Sequence, residues 1–175
     1  MVDMIYRTTR WRDLIKDSIT NPPGCIYRAV YKRSSKKNPI KCGCFIFNED
    51  LTEIVLVQNN YSFNKGEDKW GLPKGHREGN ETYATCAKRE VREETGLFLK
   101  VKDNMPKIKI NNTFYFIIVT NKKNLYPIDT KEVRKACWVK LEYIPDINVN
   151  RETQIFYKRK LQEVLRIIDF VKITP

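Results

Sequence analysis

Apolar and polar positions sort the chain into a small number of periods. Residues 42–47 (CGCFIF) and 53–58 (EIVLVQ) are short runs rich in strand formers, joined by Asn48-Glu49-Asp50-Leu51, and they predict a hairpin. Residues 107–110 and 113–119 predict another around Asn111-Asn112. FLKV at 98–101 predicts a short strand, and 136–140, containing Trp138, a last one. Nearer the start, CIYRAVYKR (25–33) alternates imperfectly as a strand does, before a polar loop from Ser34 to Pro39. Other stretches carry helical spacing instead. Between Tyr83 and about Thr95 there is no Gly or Pro, and Ala84, Ala87 and Val91 share a face. Gly96 follows where a helix most often ends, because glycine takes the left-handed conformation without strain. From Arg151 to about Lys172, Tyr157, Leu161, Val164, Leu165 and Ile168 form an apolar stripe on what reads as the longest helix. A shorter helix is predicted over 4–19, closed by Asn21-Pro22-Pro23-Gly24.

The length of 175 residues suits one domain with small additions: an extension over 1–38 packed on a core domain over 39–175 that includes the basic C-terminal helix. No apolar run is long enough to span a membrane. The N-terminus has early acids and no central apolar segment, so it does not read as a secretory signal. The five cysteines include no CxxC pair and read as reduced core residues, which predicts a cytoplasmic setting, cellular or that of a host cell. Protein partners are not legible. The net charge of +12 changes the picture more, since such a field favours polyanions; a Lys-rich composition gives the same charge without any partner. Lys158, with Arg159, Lys160 and Arg166 largely off the apolar stripe, is a candidate contact for a phosphate backbone, or else the wet face of a packed helix. Trp11, between Arg10 and Arg12, is a candidate for stacking on a base, or an anchor to the core.

The helix over 83–95 carries the candidate chemistry. Glu90, Glu93 and Glu94 lie at i, i+3 and i+4, so their carboxylates project from one face. Clustered carboxylates repel one another unless cations neutralise them, and hard oxygen ligands of this kind suit Mg2+ or Mn2+. Arg89 stands four residues before Glu93 and can orient it or balance its charge. The plainer alternative is a solvated face in which these glutamates pair with Lys88, Arg89 and Arg92.

The wider stretch from Trp70 to Leu97 matches the Nudix box at every position: Gly75, then Glu81, then Arg89-Glu90-Val91, Glu93-Glu94 and Gly96-Leu97 at the required spacing. Such a match arises by chance on the order of once in a billion starts. Resemblance to the Nudix hydrolases implies an α/β/α sandwich with a mixed sheet, here with a short N-terminal helical extension and a long C-terminal helix. It implies a metal-dependent pyrophosphohydrolase that cleaves a nucleoside diphosphate linked to another group. Glu90 and Glu94 are then metal ligands, Glu93 a further ligand or a water-holding carboxylate, and the Gly75 carbonyl joins them while Glu81 braces the loop.

Within that family, Trp70-Gly71-Leu72-Pro73-Lys74-Gly75 and Cys86-Ala87-Lys88-Arg89-Glu90-Val91-Arg92-Glu93-Glu94-Thr95-Gly96 resemble the mRNA-decapping enzymes. Lys131-Glu132-Val133-x-Lys135-x-x-Trp138 is similar to the segment where those enzymes hold a general base, which makes Glu132 the candidate base. The substrate then expected is capped RNA, cleaved at its 5′ end to release 7-methylguanosine diphosphate. Cellular decapping enzymes carry a helical regulatory domain ahead of the Nudix domain; this chain has only some forty residues there, closer to a compact viral form. Pro73-Lys74-Gly75-His76 is similar instead to the diadenosine tetraphosphate hydrolases, and with inositol pyrophosphate cleavage this supplies the small-molecule alternative. Lys74 is a phosphate contact on either reading, and His76 contacts phosphate or faces solvent. A binding protein without catalysis is a further class, which the intact glutamate set argues against.

Overall fold

The computed structural model describes residues 39–60 and 68–173, with side chains as far as Val171. The helix expected over 4–19, Trp11 on it, and the strand expected over 25–33 lie outside the described residues.

Strand β1 (Lys41–Phe47) is the central strand of the sheet. Cys42, Cys44 and Ile46 point to one apolar cluster and Phe45 and Phe47 to the other, all fully buried. A strand covered on both faces needs no polar side, which is why CGCFIF reads as one continuous run. Along one edge β1 pairs in parallel with β6 (Thr113–Val119), from Lys41↔Thr113 to Phe47↔Val119. β6 in turn forms the expected hairpin with β5 (Lys107–Ile110), with Asn111 at φ 52° in the turn.

The other edge of β1 is shared. β4 (Lys74–His76) lies antiparallel to its first three residues, and β2 (Glu53–Asn59) meets it only at Phe47↔Ile54. The hairpin expected from 42–47 and 53–58 therefore closes at its turn, where Asn48 Oδ1 accepts the Thr52 and Glu53 amides at 2.9 Å, and then splays. β2 leaves to pair with β7 (Val133–Lys140) and with the two-residue β3 (Trp70–Gly71). β7 starts at Val133, ahead of the expected 136, and the sheet is mixed, as expected.

FLKV at 98–101 is not a strand. Its alternation is real, with Leu99 buried and Phe98 62% exposed, but among the described residues no strand pairs with it. An irregular segment leaving a helix lays alternate side chains on the core just as a strand does; alternation reports burial, not pairing.

α1 (Tyr83–Thr95) covers one face of the sheet, over the residues the spacing predicts. Thr82 Oγ1 accepts the Thr85 amide at 3.2 Å, and at the other end Gly96, at φ 74°, donates its amide to the Arg92 carbonyl. The opposite face is covered by consecutive helical segments: α2 (Arg151–Ile155), a π turn (Phe156–Lys160) and α3 (Leu161–Ile173). The stripe expected on this helix is only partly the buried one. Val164 and Ile168 are buried, Tyr157, Leu161 and Leu165 only partly, while Thr153 and Phe156, which the stripe omits, are fully buried. Phe156 stacks on Phe45 at 4.6 Å between ring centroids. On a regular helix Phe156 and Val164 would be about 80° out of phase. The extra residue of the π turn brings them onto the same face. Helices on both faces of a mixed sheet make the α/β/α sandwich of the Nudix fold, with the long C-terminal helix as expected.

Candidate active site

The helix spacing that placed three glutamates together does not treat them alike. Glu90 and Glu94, one turn apart, are 6% and 3% exposed, whereas the Glu93 side chain is 41% exposed. This excludes a simple solvated face. Burial raises the Glu90 carboxyl above its ordinary range and pushes Glu94 up to about 8, with Glu132 adding repulsion at both. A carboxylate that water cannot reach must be neutralised by a proton or by a cation.

The loop before α1 is built around these groups. The Lys74 amide donates to Glu94 Oε2 at 2.7 Å. Gly75 lies directly against the Glu90 carboxylate, and a Cβ at 75 would collide with its carbon and both oxygens. The Gly75 carbonyl accepts the Cys86 thiol at 3.8 Å. Arg89 ties the loop to the helix: its guanidinium reaches Glu90 Oε1 at 2.7 Å, Glu93 Oε2 at 3.1 Å, Glu81 Oε1 at 2.9 Å and the His76 carbonyl at 2.9 Å. Glu81 Oε1 also accepts the Glu78 amide at 2.8 Å, and the Arg89 hydrogen bond holds the Glu81 carboxyl below its usual range. Gly96 closes the other end of α1 against the Tyr126 backbone, a space that a Cβ would fill.

Glu132 comes from the loop before β7. Its amide donates to Asp129 Oδ1 at 3.2 Å and its carbonyl accepts the Asn60 amide at 2.6 Å. The Asp129 amide in turn donates to the Glu93 carbonyl at 3.0 Å, so this loop is pinned to the last turn of α1. The Glu132 side chain is exposed, and its charge is felt at Glu90, Glu94, His76 and Lys41.

Positive groups line the neighbouring strand ends. His76 is exposed, and partial burial with the charges of Lys41 and Lys74 lowers its pKa. Lys41 is likewise lowered, by burial and then by Lys74. The Lys74 ammonium stands 3.7 Å from Glu152 Oε2, a carboxylate delivered by α2. Glu152 itself accepts Thr113 Oγ1 at 3.0 Å and the Tyr115 hydroxyl at 2.8 Å. Lys41 and Glu152 were not singled out by the sequence. A lysine before an apolar run and an acid in the first turn of a helix are both ordinary, and no short-range signal marks them. Lys158 stands exposed in the π turn, and among the described residues no contact joins it to these carboxylates.

Among the described residues, no three acidic, histidine or cysteine side chains converge into a coordination shell as they stand. Arg89 lies between Glu90 and Glu93, and the Lys74 amide holds Glu94. The donors nevertheless fit a divalent cation: buried hard-oxygen carboxylates that repel one another, beside a glycine whose missing side chain opens their approach. The guanidinium occupies the position of a counter-charge.

The α/β/α sandwich thus presents this carboxylate cluster on the helix that covers one face of its sheet. The family model of the NUDIX domain matches residues 37–159, and the chain belongs to the Nudix hydrolase family, with the family's general pyrophosphohydrolase activity and its general dependence on Mg2+ or Mn2+. The chain is similar to the 111R protein of Invertebrate iridescent virus 3, at 30% identity over 158 residues, covering 82% of this chain and 89% of that one. It is also similar to the m7GpppN-mRNA hydrolase of Saccharomyces cerevisiae, at 33% identity over 115 residues; this covers 62% of the chain but spans only 11% of that enzyme. Among solved structures, the NUDIX domain of Shewanella oneidensis NrtR, complexed with ADP ribose, shares the fold with a TM-score of 0.59 at 18% identity, covering 79% of this chain and 96% of that one.

Proposed function

We propose that this Nudix hydrolase cleaves the 5′ cap of RNA and releases 7-methylguanosine diphosphate. The observation that carries the reading is Glu132: a carboxylate outside the box, on a loop pinned to α1, whose charge reaches the buried pair Glu90 and Glu94. It stands in the segment resembling the decapping enzymes, and the yeast cap hydrolase is among the relatives.

In this reading Glu90, Glu94, the half-exposed Glu93 and the Gly75 carbonyl would hold Mg2+ or Mn2+. The cation, when bound, supplies Lewis acidity toward the oxygens of the anhydride. Arg89 keeps Glu90 and Glu93 oriented. Glu132 would take a proton on its carboxylate from the attacking water, while the buried glutamates would stay committed to the cation. Water oxygen bonds to phosphorus as the bridging P–O bond breaks. Lys74, Lys41 and His76 bind the phosphates, and the positive charge of the chain holds the RNA that follows. Lys158 and Trp11 are proposed as contacts to that strand, and a cytoplasmic setting is the place where capped RNA would be met.

The test incubates the protein and manganese with capped RNA and, separately, with diadenosine tetraphosphate, with Glu94→Gln as control. The expected outcome is 7-methylguanosine diphosphate released from RNA and abolished in the variant. Turnover of the dinucleotide alone would replace this reading with the small-molecule one.

A further inference from the structure

We propose that Glu152 is a positioning residue for the substrate's phosphates: a fixed carboxylate, supplied by the C-terminal helix, that holds the Lys74 ammonium beside Lys41. The inference rests on Lys74 as a phosphate contact and goes beyond it, to what sets that lysine in place.

The sheet register brings the group together. Lys41 lies opposite His76 on one side and Thr113 on the other, and Gly43 lies opposite Lys74 and Tyr115. Residues directly opposite, and those two apart along a strand, share a face of the sheet. Lys41, Lys74, Thr113 and Tyr115 therefore stand on the face that the C-terminal helix covers. That face carries two neighbouring ammonium groups, which repel one another and, left alone, would turn apart toward water. Glu152 enters between the strand and the helix with both carboxylate oxygens anchored, Oε1 by Thr113 and Oε2 by Tyr115, at 3.0 and 2.8 Å.

Thr113 and Tyr115 are fully buried, so the anchors themselves do not move with solvent. Asn150 fixes the start of the helix by accepting the Thr153 amide at 3.0 Å, which sets where Glu152 points. The same oxygen that Tyr115 holds faces the Lys74 ammonium at 3.7 Å, with both side chains under a fifth exposed. A long, flexible lysine becomes a defined phosphate contact only when something rigid holds it. The backbone of Lys74 meanwhile holds Glu94, so this one residue connects the carboxylate pair to the phosphate side of the site.

A double-mutant cycle separates this role from plain structural support. Glu152→Gln, Lys74→Gln and the double variant are compared in the full chain for kcat and KM on whichever of capped RNA and diadenosine tetraphosphate the wild type turns over. Affinity for inorganic pyrophosphate in magnesium is measured beside them by calorimetry. Glu152→Gln is expected to raise KM and weaken pyrophosphate about tenfold, with kcat changed less than about threefold, and to add nothing in the Lys74→Gln background. Tyr115→Phe, which removes one anchor and leaves the charge, is expected to act in the same direction at about threefold and to vanish in the same background. Unchanged or tighter pyrophosphate binding in Glu152→Gln overturns the proposal, because the carboxylate would then only screen the lysines. Full effects persisting in Lys74→Gln, or no pyrophosphate binding by the wild type, overturn it as well. Failure on capped RNA with turnover of the dinucleotide overturns the cap reading alone.

Discussion

The Glu94 carboxyl is buried where the protein alone cannot solvate a charge. Its native pKa of about 8 lies above the ordinary carboxyl value, so between the two the folded chain holds a proton that the unfolded chain has released. Without divalent cations, this group's contribution to stability is intact below that window and is lost as pH rises through it. In chelator at pH 8, Glu94→Gln is therefore expected to melt higher than wild type, by about 2–4 °C for each kcal/mol relieved, and below about pH 4 that difference should vanish; thermal melts across pH check this. Cation binding, competing with that proton, tightens as pH rises. Gly75→Ala tests the same pair sterically. The new methyl displaces the Glu90 carboxylate, so catalysis should fall more than about tenfold while the fold, read by circular dichroism, survives. The spacing of Glu90, Glu93 and Glu94 was legible because a helix fixes which residues share a face. Which of them the sheet would bury was not, since that depends on strands distant in sequence. Lys41 and Glu152 were hidden for the same reason: they join only through the register of β1 and β6.

At the scale of elements, α1 and the β5–β6 hairpin stand where periodicity placed them, because each is specified by its own residues and ended by Gly96 or turned at Asn111. The splayed β1–β2 turn and the irregular 98–101 segment were not legible, because pairing is decided by neighbours the local pattern does not contain. The C-terminal helix shows both sides. Its extent follows from the sequence, but the stripe read at uniform spacing missed Phe156, since one extra residue in the π turn shifts the phase. Deleting Lys158 should convert the π turn to regular helix and leave Phe156 and Val164 on one face, now seven residues and about 20° apart. The expected result is a chain that remains helical by circular dichroism, keeps the Glu152 contacts and turns over a small dinucleotide within about threefold of wild type. Phe156→Ala should instead cost about 3–5 kcal/mol of stability, measured by denaturant unfolding, since the ring fills the space over Phe45.

At the scale of the molecule, charge is the widest signal. With a net charge of +12, a long RNA should bind with strong salt dependence, each contacted phosphate contributing about 0.7 to the logarithmic slope on a single strand, while a dinucleotide should respond weakly. Measuring KM for both against ionic strength decides whether the excess charge serves the substrate or only reflects composition. Among the described residues no helix is long and apolar enough to cross a membrane, as the absence of a long apolar run implied. The mixed sheet was legible only through the family resemblance, because nothing local announces that β1 and β6, far apart in the chain, run parallel. That pairing also sets an order of events during synthesis. β1 and α1 leave the ribosome well before β6 can join them, and Glu152 leaves later still. A nascent chain halted just short of α2 already contains every position of the Nudix box, yet lacks the Glu152 carboxylate that faces the Lys74 ammonium. If Glu152 positions Lys74 as proposed, competence to grip phosphate therefore follows completion of the Nudix box.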